Sequence, residues 1–235
     1  MSTSTNSHSD TTTNPGHIVR DKSASSSRSN QPTLTSTDLH NFLRTRRSVR
    51  RFKPDPVPDS VINDILTTAT FAPSAHNRQP WRFCVIKDTS TKTKLADAMS
   101  VEFKRDLEKD GLSPEKVQAQ IKRSRERMTS APVIIVINLD MSEMDVYPDK
   151  KRKQAEFRMT MQSVANAGMQ LLLAAHAEGL GGVWVCSPLF VQETIQETLN
   201  LPKSWEPQGM FYLGYPEVIP DVRKRKSLDE IVIHN

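Results

Sequence analysis

Large aliphatic side chains are nearly absent from residues 1–35, where only Ile18, Val19 and Leu34 interrupt a run of Ser, Thr, Asn and other polar positions. Such a segment cannot bury enough apolar surface to offset the entropy of ordering it. Residues 1–35 are therefore expected to be a disordered leader, with the folded domain spanning 36–235. From Ser36 onward the pattern changes. Leu39, Phe42 and Leu43 fit one face of a short helix that Ser36 or Thr37 can cap. Val61, Ile62, Ile65, Leu66 and Ala69 form the stripe of a second helix that starts at Pro58-Asp59-Ser60 and ends before Pro73. A small, polar loop from Ser74 to Pro80 leads into a strand over 82–87.

Two charged helices follow, from Thr91 to Asp110 and from Ser113 to about Met128, with Gly111 between them. Pro132 to Leu139 is a continuous apolar run rich in β-branched residues, which predicts a strand buried on both faces. The longest helix runs from about Lys150 to Glu178; it is apolar nearly all round from Val164 to Ala175 and is closed by Gly179. A strand at 182–186, a helix opening at Pro188 with Val191, Ile195 and Leu199 inward, and a strand from Met210 to Leu213 complete the core. Ile231-Val232-Ile233 reads as an edge or exchanged strand. Strands separated by helices, one of them very long, predict the α+β class with a central mixed sheet flanked by helices.

Composition narrows this picture in three ways. A net charge of +5 favours anionic ligands without choosing among nucleotide, nucleic acid and membrane surface. Only Cys84 and Cys186 occur, both in apolar strand-like runs, so buried free thiols are expected rather than a disulfide; the count fits a reducing cytoplasm. No apolar run approaches the roughly 20 residues that span a bilayer, and no hydrophobic signal core opens the chain.

The densest chemistry is Arg46-Arg47-Ser48-Val49-Arg50-Arg51-Phe52. In an extended segment alternate side chains share a face, so Arg46, Ser48 and Arg50 project together. Planar, permanently charged guanidinium forks suit phosphate and other anionic oxygens. A solvated basic turn or a nucleic-acid patch would have the same composition. Two further stretches stand out, Ala72-Pro73-Ser74-Ala75-His76-Asn77-Arg78-Gln79-Pro80-Trp81 and Gly179-Leu180-Gly181-Gly182-Val183-Trp184. Neither His76 nor His176 has metal-ligand spacing to a cluster of Cys, Asp or Glu, and both read as structural. Trp81 reads as core or interface. No Ser-His-Asp, Cys-His or P-loop pattern is present.

In this order and spacing the three stretches resemble the nitroreductase family, from about Leu39 to the C-terminus. The resemblance implies an intertwined homodimer with FMN at the interface, each site taking residues from both chains. It implies that Arg46, Arg47 and Ser48, with Val49 inside the motif, contact the FMN phosphate and ribityl chain. Arg50 takes the place of the cation beside flavin N1 and O2, where a fixed positive charge stabilises the reduced ring. Pro73, Ser74 and Asn77 match the family's flavin loop, in which an Asn amide reads the pyrimidine edge. Gly181 and Gly182 would bring backbone close to the ring, though a helix-to-strand connection also needs glycine. Arg223 and Arg225 would add phosphate contacts from the tail, or form a solvated run.

The middle of the chain, with Phe103-Lys104-Arg105-Asp106-Leu107, Tyr147-Pro148-Asp149 and Trp205-Glu206-Pro207, is similar to the C-terminal flavin domain of bifunctional coenzyme F420:L-glutamate ligases. That narrower resemblance implies reduction of dehydro-F420-0 to F420-0, with Ser74 and Asp106 at the deazaflavin site and the basic helices 104–127 as a lid. The alternatives are a general NAD(P)H-dependent nitro or quinone reductase and, in another class, a non-catalytic flavin or nucleic-acid binder. The family reading expects a small-molecule substrate and neither a membrane nor a nucleic-acid partner.

Overall fold

The computed structural model describes residues 34–235, so the leader expected over 1–35 lies outside the described residues except for its last two positions. Ten elements carry the fold, in the order α1 (Ser36–Thr45), α2 (Asp59–Ala69), β1 (Trp81–Ile86), α3 (Thr89–Lys109), α4 (Pro114–Thr129), β2 (Val133–Asp140), α5 (Lys150–Ala177), β3 (Gly181–Val185), α6 (Gln192–Leu199) and β4 (Trp205–Gly214). The strands lie in the order β1-β2-β4-β3.

Strand β2 is the centre of the molecule, and all eight of its residues are buried. Its side chains alternate between two cores. Val133, Ile135, Ile137 and Leu139 pack with Phe211, Leu213 and the apolar faces of α2 and α5. Ile134 and Val136 pack on the other side with Met210, Tyr212, Leu95 and Met128 from α3 and α4, and Ile195 from α6. A fully buried aliphatic side chain contributes about 1.5–3 kcal/mol relative to exposure, so this strand anchors both layers. Trp81, read from the sequence as core or interface, is buried in the first core.

The α+β class stands, but the strand-to-strand pairings are all antiparallel. The parallel part of the expected mixed sheet reduces to one bridge, Ser48 to Gly182. Three boundaries differ from the sequence reading for identifiable reasons. Thr35, not Ser36 or Thr37, caps α1, because Thr35 and Asp38 form a reciprocal capping box. Strand β4 begins at Trp205 rather than Met210, since a bulge in the β2–β4 register pairs Asn138 with Pro207 and Ile137 with Gly209, leaving Gln208 as the extra residue. A bulge is where a sheet tolerates proline, so Trp-Glu-Pro only looks like a turn in the sequence. Pro188 opens a 3-10 turn (Ser187–Phe190) and the α-helix starts after it.

Three further expectations are corrected. Cys186 is exposed and Cys84 only half-buried; both are free, one on β1 and one just past β3, the opposite edges of the sheet. Ile231, Val232 and Ile233 form no strand within the chain and are exposed. Helix α5 is not covered all round either: Ala165, Asn166 and Met169 form an exposed stripe.

Candidate functional site

After α1 the chain runs extended along the β3 edge of the sheet. The Val49 N–H donates to Gly182 C=O at 3.1 Å, Lys53 N–H to Tyr215 C=O at 2.9 Å, and Glu217 N–H to Arg51 C=O at 3.0 Å. Alternation does the rest. Val49 turns inward and is buried, while its neighbours Ser48 and Arg50 face outward. Arg46, Arg47, Ser48 and Arg50 line one open cleft of about 790 Å³, with Arg51 and Arg127 and, from the tail, Arg223 and Arg225. Among the described residues Asp221 is the one acid lining it.

Electrostatics single out Arg46. Its Nη1 is buried without a hydrogen-bond partner among the described residues. Its pKa is held below the ordinary guanidinium value, first by burial and then by the like charges of Arg225 and Arg47. An unsatisfied, repelled cation in the wall of a cleft is the feature a bound anion would relieve. Arg47 is differently engaged: its Nη1 donates to the Arg44 carbonyl at 2.6 Å and the Arg46 carbonyl at 2.9 Å, closing the C-terminus of α1. Arg51 pairs with Glu217 at 3.0 Å.

A second cleft of about 520 Å³ adjoins the first, shares Arg46 and Arg47 with it, and is lined by Gly181, Gly182 and His176. The glycines have a packing reason of their own. A Cβ on Gly181 would lie 2.7 Å from that of Val49, and one on Gly182 would lie 2.8 Å from a Leu213 methyl. Close approach of the arginine segment to β3 requires the first, and the packing of Leu213 and Leu172 requires the second. His176 stacks on Phe42 with ring centroids 4.9 Å apart and meets Thr45 Oγ1 at 3.1 Å. Its pKa is lowered by burial and then by the Arg46 and Arg47 charges. The sequence reading of His176 as structural missed its place in this cleft.

The Pro73-Ser74-Asn77 loop is not in either cleft. Asn166 on α5 donates to Pro73 C=O at 3.2 Å, and the Ala75 N–H donates to Ser163 Oγ at 3.1 Å. Ser163 and His176 are separated by about 20 Å along the α5 axis at 1.5 Å per residue, which sets the loop far from the chain's own arginine cleft. The loop is unusual in itself: His76, Asn77 and Gln79 all have positive φ, near 50°. Left-handed backbone at a non-glycine residue costs on the order of 1–3 kcal/mol and clusters at ligand-binding segments. Ser74 Oγ accepts the Gln79 N–H at 3.1 Å and so holds the turn.

Asp106 lies elsewhere again, lining an apolar cavity of about 390 Å³ between α3, α4 and the 187–190 turn. Ser74 and Asp106 therefore share no cavity within one chain. Of the expected lid, α4 reaches the arginine cleft through Arg127; Lys104 and Arg105 of α3 pair with Glu108 and Glu102 along their own helix. Arg127 was absent from the sequence-based set, and the basic run 122–127 was its only signal.

The same fold recurs among known proteins. The chain is 26% identical over 227 residues to an NADH dehydrogenase of Thermus thermophilus, covering 86% of this chain and 98% of that protein. The fold matches the crystal structure of a BluB-like flavoprotein from Clostridium difficile with a TM-score of 0.71 at 26% identity, covering 84% of this chain and 98% of that one. It also matches iodotyrosine deiodinase bound to FMN and 3-iodo-L-tyrosine, with a TM-score of 0.66 at 26% identity and the same two coverages, 84% and 98%. The model of the Nitroreductase family matches residues 43–215, from the end of α1 to just past β4. The chain belongs to the nitroreductase family.

Proposed function

We propose that this protein is an FMN-dependent oxidoreductase that takes reducing equivalents from NAD(P)H and passes them to a small organic acceptor such as a nitro compound or a quinone. The observation that carries this reading is the buried, unpartnered Nη1 of Arg46 in an arginine-lined cleft beside the Gly181-Gly182 strand. The fit to a flavin phosphate is electrostatic: one acid, Asp221, faces a wall of guanidinium groups. Bound FMN supplies hydride chemistry that no side chain here offers.

The residues of the chain do the holding and tuning. Arg46, Arg223 and Arg225 take the phosphate, joined by Arg47 once it releases the Arg44 and Arg46 carbonyls. The Ser48 hydroxyl serves the ribityl chain, and buried Val49 locks the segment to β3. Arg50 supplies the fixed cation that favours the reduced, anionic ring.

Pro73, Ser74 and Asn77 act on the cofactor of the other copy in a homodimer. Their distance from the chain's own cleft supports this, as do the exposed stripe of α5 beside them and the exposed Phe71. In the dimer Ser74 also faces substrate, with Asp106 contributing from the α3–α4 cavity.

The narrower reading, a dehydro-F420-0 reductase, is favoured by Arg123 and Arg127, which suit an anionic acceptor. The test is an absorbance spectrum of the protein reconstituted with FMN, then anaerobic reduction by NAD(P)H and addition of an acceptor. Reoxidation by a nitroaromatic or quinone supports the general reductase, and reoxidation by dehydro-F420-0 alone supports the narrower one. Failure to take up FMN would refute both.

A further inference from the structure

The basic run of the tail, Arg223-Lys224-Arg225-Lys226, is longer than the cleft uses. Arg223 and Arg225 line the arginine cleft, whereas Lys224 and Lys226 do not. Both lysines are exposed, and neither has a salt-bridge partner among the described residues. Directly after them stands Ser227, also exposed, at the start of a 3-10 turn over Leu228–Glu230. Its Oγ donates to Glu230 Oε1 at 3.0 Å, and the same oxygen accepts the Ser227 N–H at 3.0 Å. From Val218 to Lys226 the chain makes no backbone-to-backbone hydrogen bond among the described residues. Such a segment enters an enzyme's groove as extended chain without unfolding any element. Two other serines follow basic pairs, Ser48 after Arg46-Arg47 and Ser124 after Lys122-Arg123. Ser48 is bridged to Gly182 and Ser124 lies inside α4, so neither is free in this way.

We infer that Ser227 is a phosphorylation site for a basophilic protein kinase, and that its phosphate engages Arg225 and Arg223 and so weakens the hold on FMN. Four consecutive cations before the hydroxyl match an acidic substrate groove. In the transfer, Ser227 Oγ attacks the γ-phosphorus of a nucleoside triphosphate. The new O–P bond forms as the bond to the nucleoside diphosphate breaks, and the hydroxyl proton passes to the kinase's carboxylate base. The product carries a charge of about −1.5 to −2 at pH 7 and three acceptor oxygens. Set against the Glu230 carboxylate, that charge breaks the Ser227–Glu230 capping pair by repulsion. Alternate positions of an extended chain share a face, and Ser227 is the next in the series Arg223, Arg225. The freed phosphate therefore has two guanidiniums to pair with. The inference deepens the proposed function by naming how the cofactor site is regulated. It rests on that reading for the loss of FMN and not for the phosphorylation itself.

The full chain is incubated with MgATP and a purified basophilic kinase, and the phosphate is located by mass spectrometry. Ser227 should be the main acceptor. The double variant K224Q/K226Q should slow its modification about tenfold or more while leaving the FMN Kd unchanged. Fluorescence titration should show FMN held about tenfold more weakly by the phosphorylated chain, as loss of one charge-assisted contact implies. S227A taken through the same treatment should keep the Kd of the untreated protein. No phosphate on Ser227 would overturn the modification site. A second preparation, with phosphoserine installed at position 227 during translation, tests the switch whatever the kinase does; an unchanged FMN Kd there would overturn it. Phosphorus NMR of that preparation without FMN reads the arginine contact. The phosphate's second pKa should lie below its ordinary value of about 6 and return toward it in R225Q. The two readings fail separately. A protein that takes up no FMN but keeps the Arg225-dependent shift loses the oxidoreductase and retains the phosphate contact. A flavoprotein whose Kd ignores the phosphate loses the switch alone.

Discussion

Replacing Arg46 by Met should weaken FMN binding and at the same time leave the FMN-free protein no less stable than the wild type. The two halves have one cause. In the free protein the Arg46 Nη1 is buried and has no partner among the described residues, and its charge is opposed by Arg225 and Arg47. A buried donor left unsatisfied costs about 1–3 kcal/mol, and Met fills similar volume without that cost. With FMN bound, the same group makes a charge-assisted contact worth about 1.5–3 kcal/mol, so its loss should raise Kd by roughly 10- to 150-fold. Thermal unfolding with and without FMN reads both terms. At an FMN concentration 100 times the wild-type Kd, binding adds about 2.7 kcal/mol to the wild type; a variant weakened 100-fold gains only about 0.4 kcal/mol under the same conditions. Fluorescence titration of FMN gives the Kd change directly. If FMN-free R46M unfolds well below the wild type, Arg46 is a packing residue. If its Kd for FMN is unchanged, the phosphate assignment is wrong.

Further predictions follow from neighbouring features. Because the strained Pro73–Asn77 loop lies far from its own cleft, inactive R46A and S74A chains should complement when mixed: half the dimers would be heterodimers with one intact site each, restoring about a quarter of wild-type activity. No recovery would place both residues in one chain's site. A Cβ at Gly168 would lie 2.7 Å or less from two carbons of the Trp184 ring, so G168A should lower stability by about 1–3 kcal/mol from overpacking despite alanine's better helix propensity; a Tm equal to wild type would contradict this. His176 has a folded pKa depressed below its ordinary 6.5, by burial first and then by Arg46 and Arg47. The unfolded chain therefore binds a proton that the folded one refuses, and His176 should cost stability as pH falls below about 6.5. H176Q should flatten that part of the stability–pH curve, and an unchanged slope would rule the histidine out. Holding the reduced ring is assigned to Arg50, so R50A should bind FMN at a lower reduction potential; a potentiometric titration without a downward shift would refute the role.

Periodicity alone gave the helices and strands, because an amphipathic stripe or a doubly apolar run is a local property of the chain. It made β2 a strand buried on both faces and α5 the long helix, and it left Trp81 to core or interface. The Arg46-Arg47-Ser48-Val49-Arg50 segment was legible for a related reason: its chemistry is contiguous, and alternation in an extended segment is enough to aim Arg46, Ser48 and Arg50 together. What needed the tertiary structure was anything assembled across distance. Arg127 joins Arg50 only because α4 packs over the face of the sheet beside β3. Arg223 and Arg225 are cleft residues only because the tail is strapped to the arginine segment through Arg51 and Glu217. Gly181 and Gly182 look the same in sequence whether a ligand or a neighbouring strand crowds them, and it was the position of Val49 and Leu213 that gave the packing reason. Likewise Ser74 and Asp106 are candidates for one site, and the length of α5 and the α3–α4 layer set them apart within a single chain. A single chain encodes its own core in its hydrophobic spacing, whereas a site whose charges repel one another is held in place by the packing of elements that do not themselves touch the ligand.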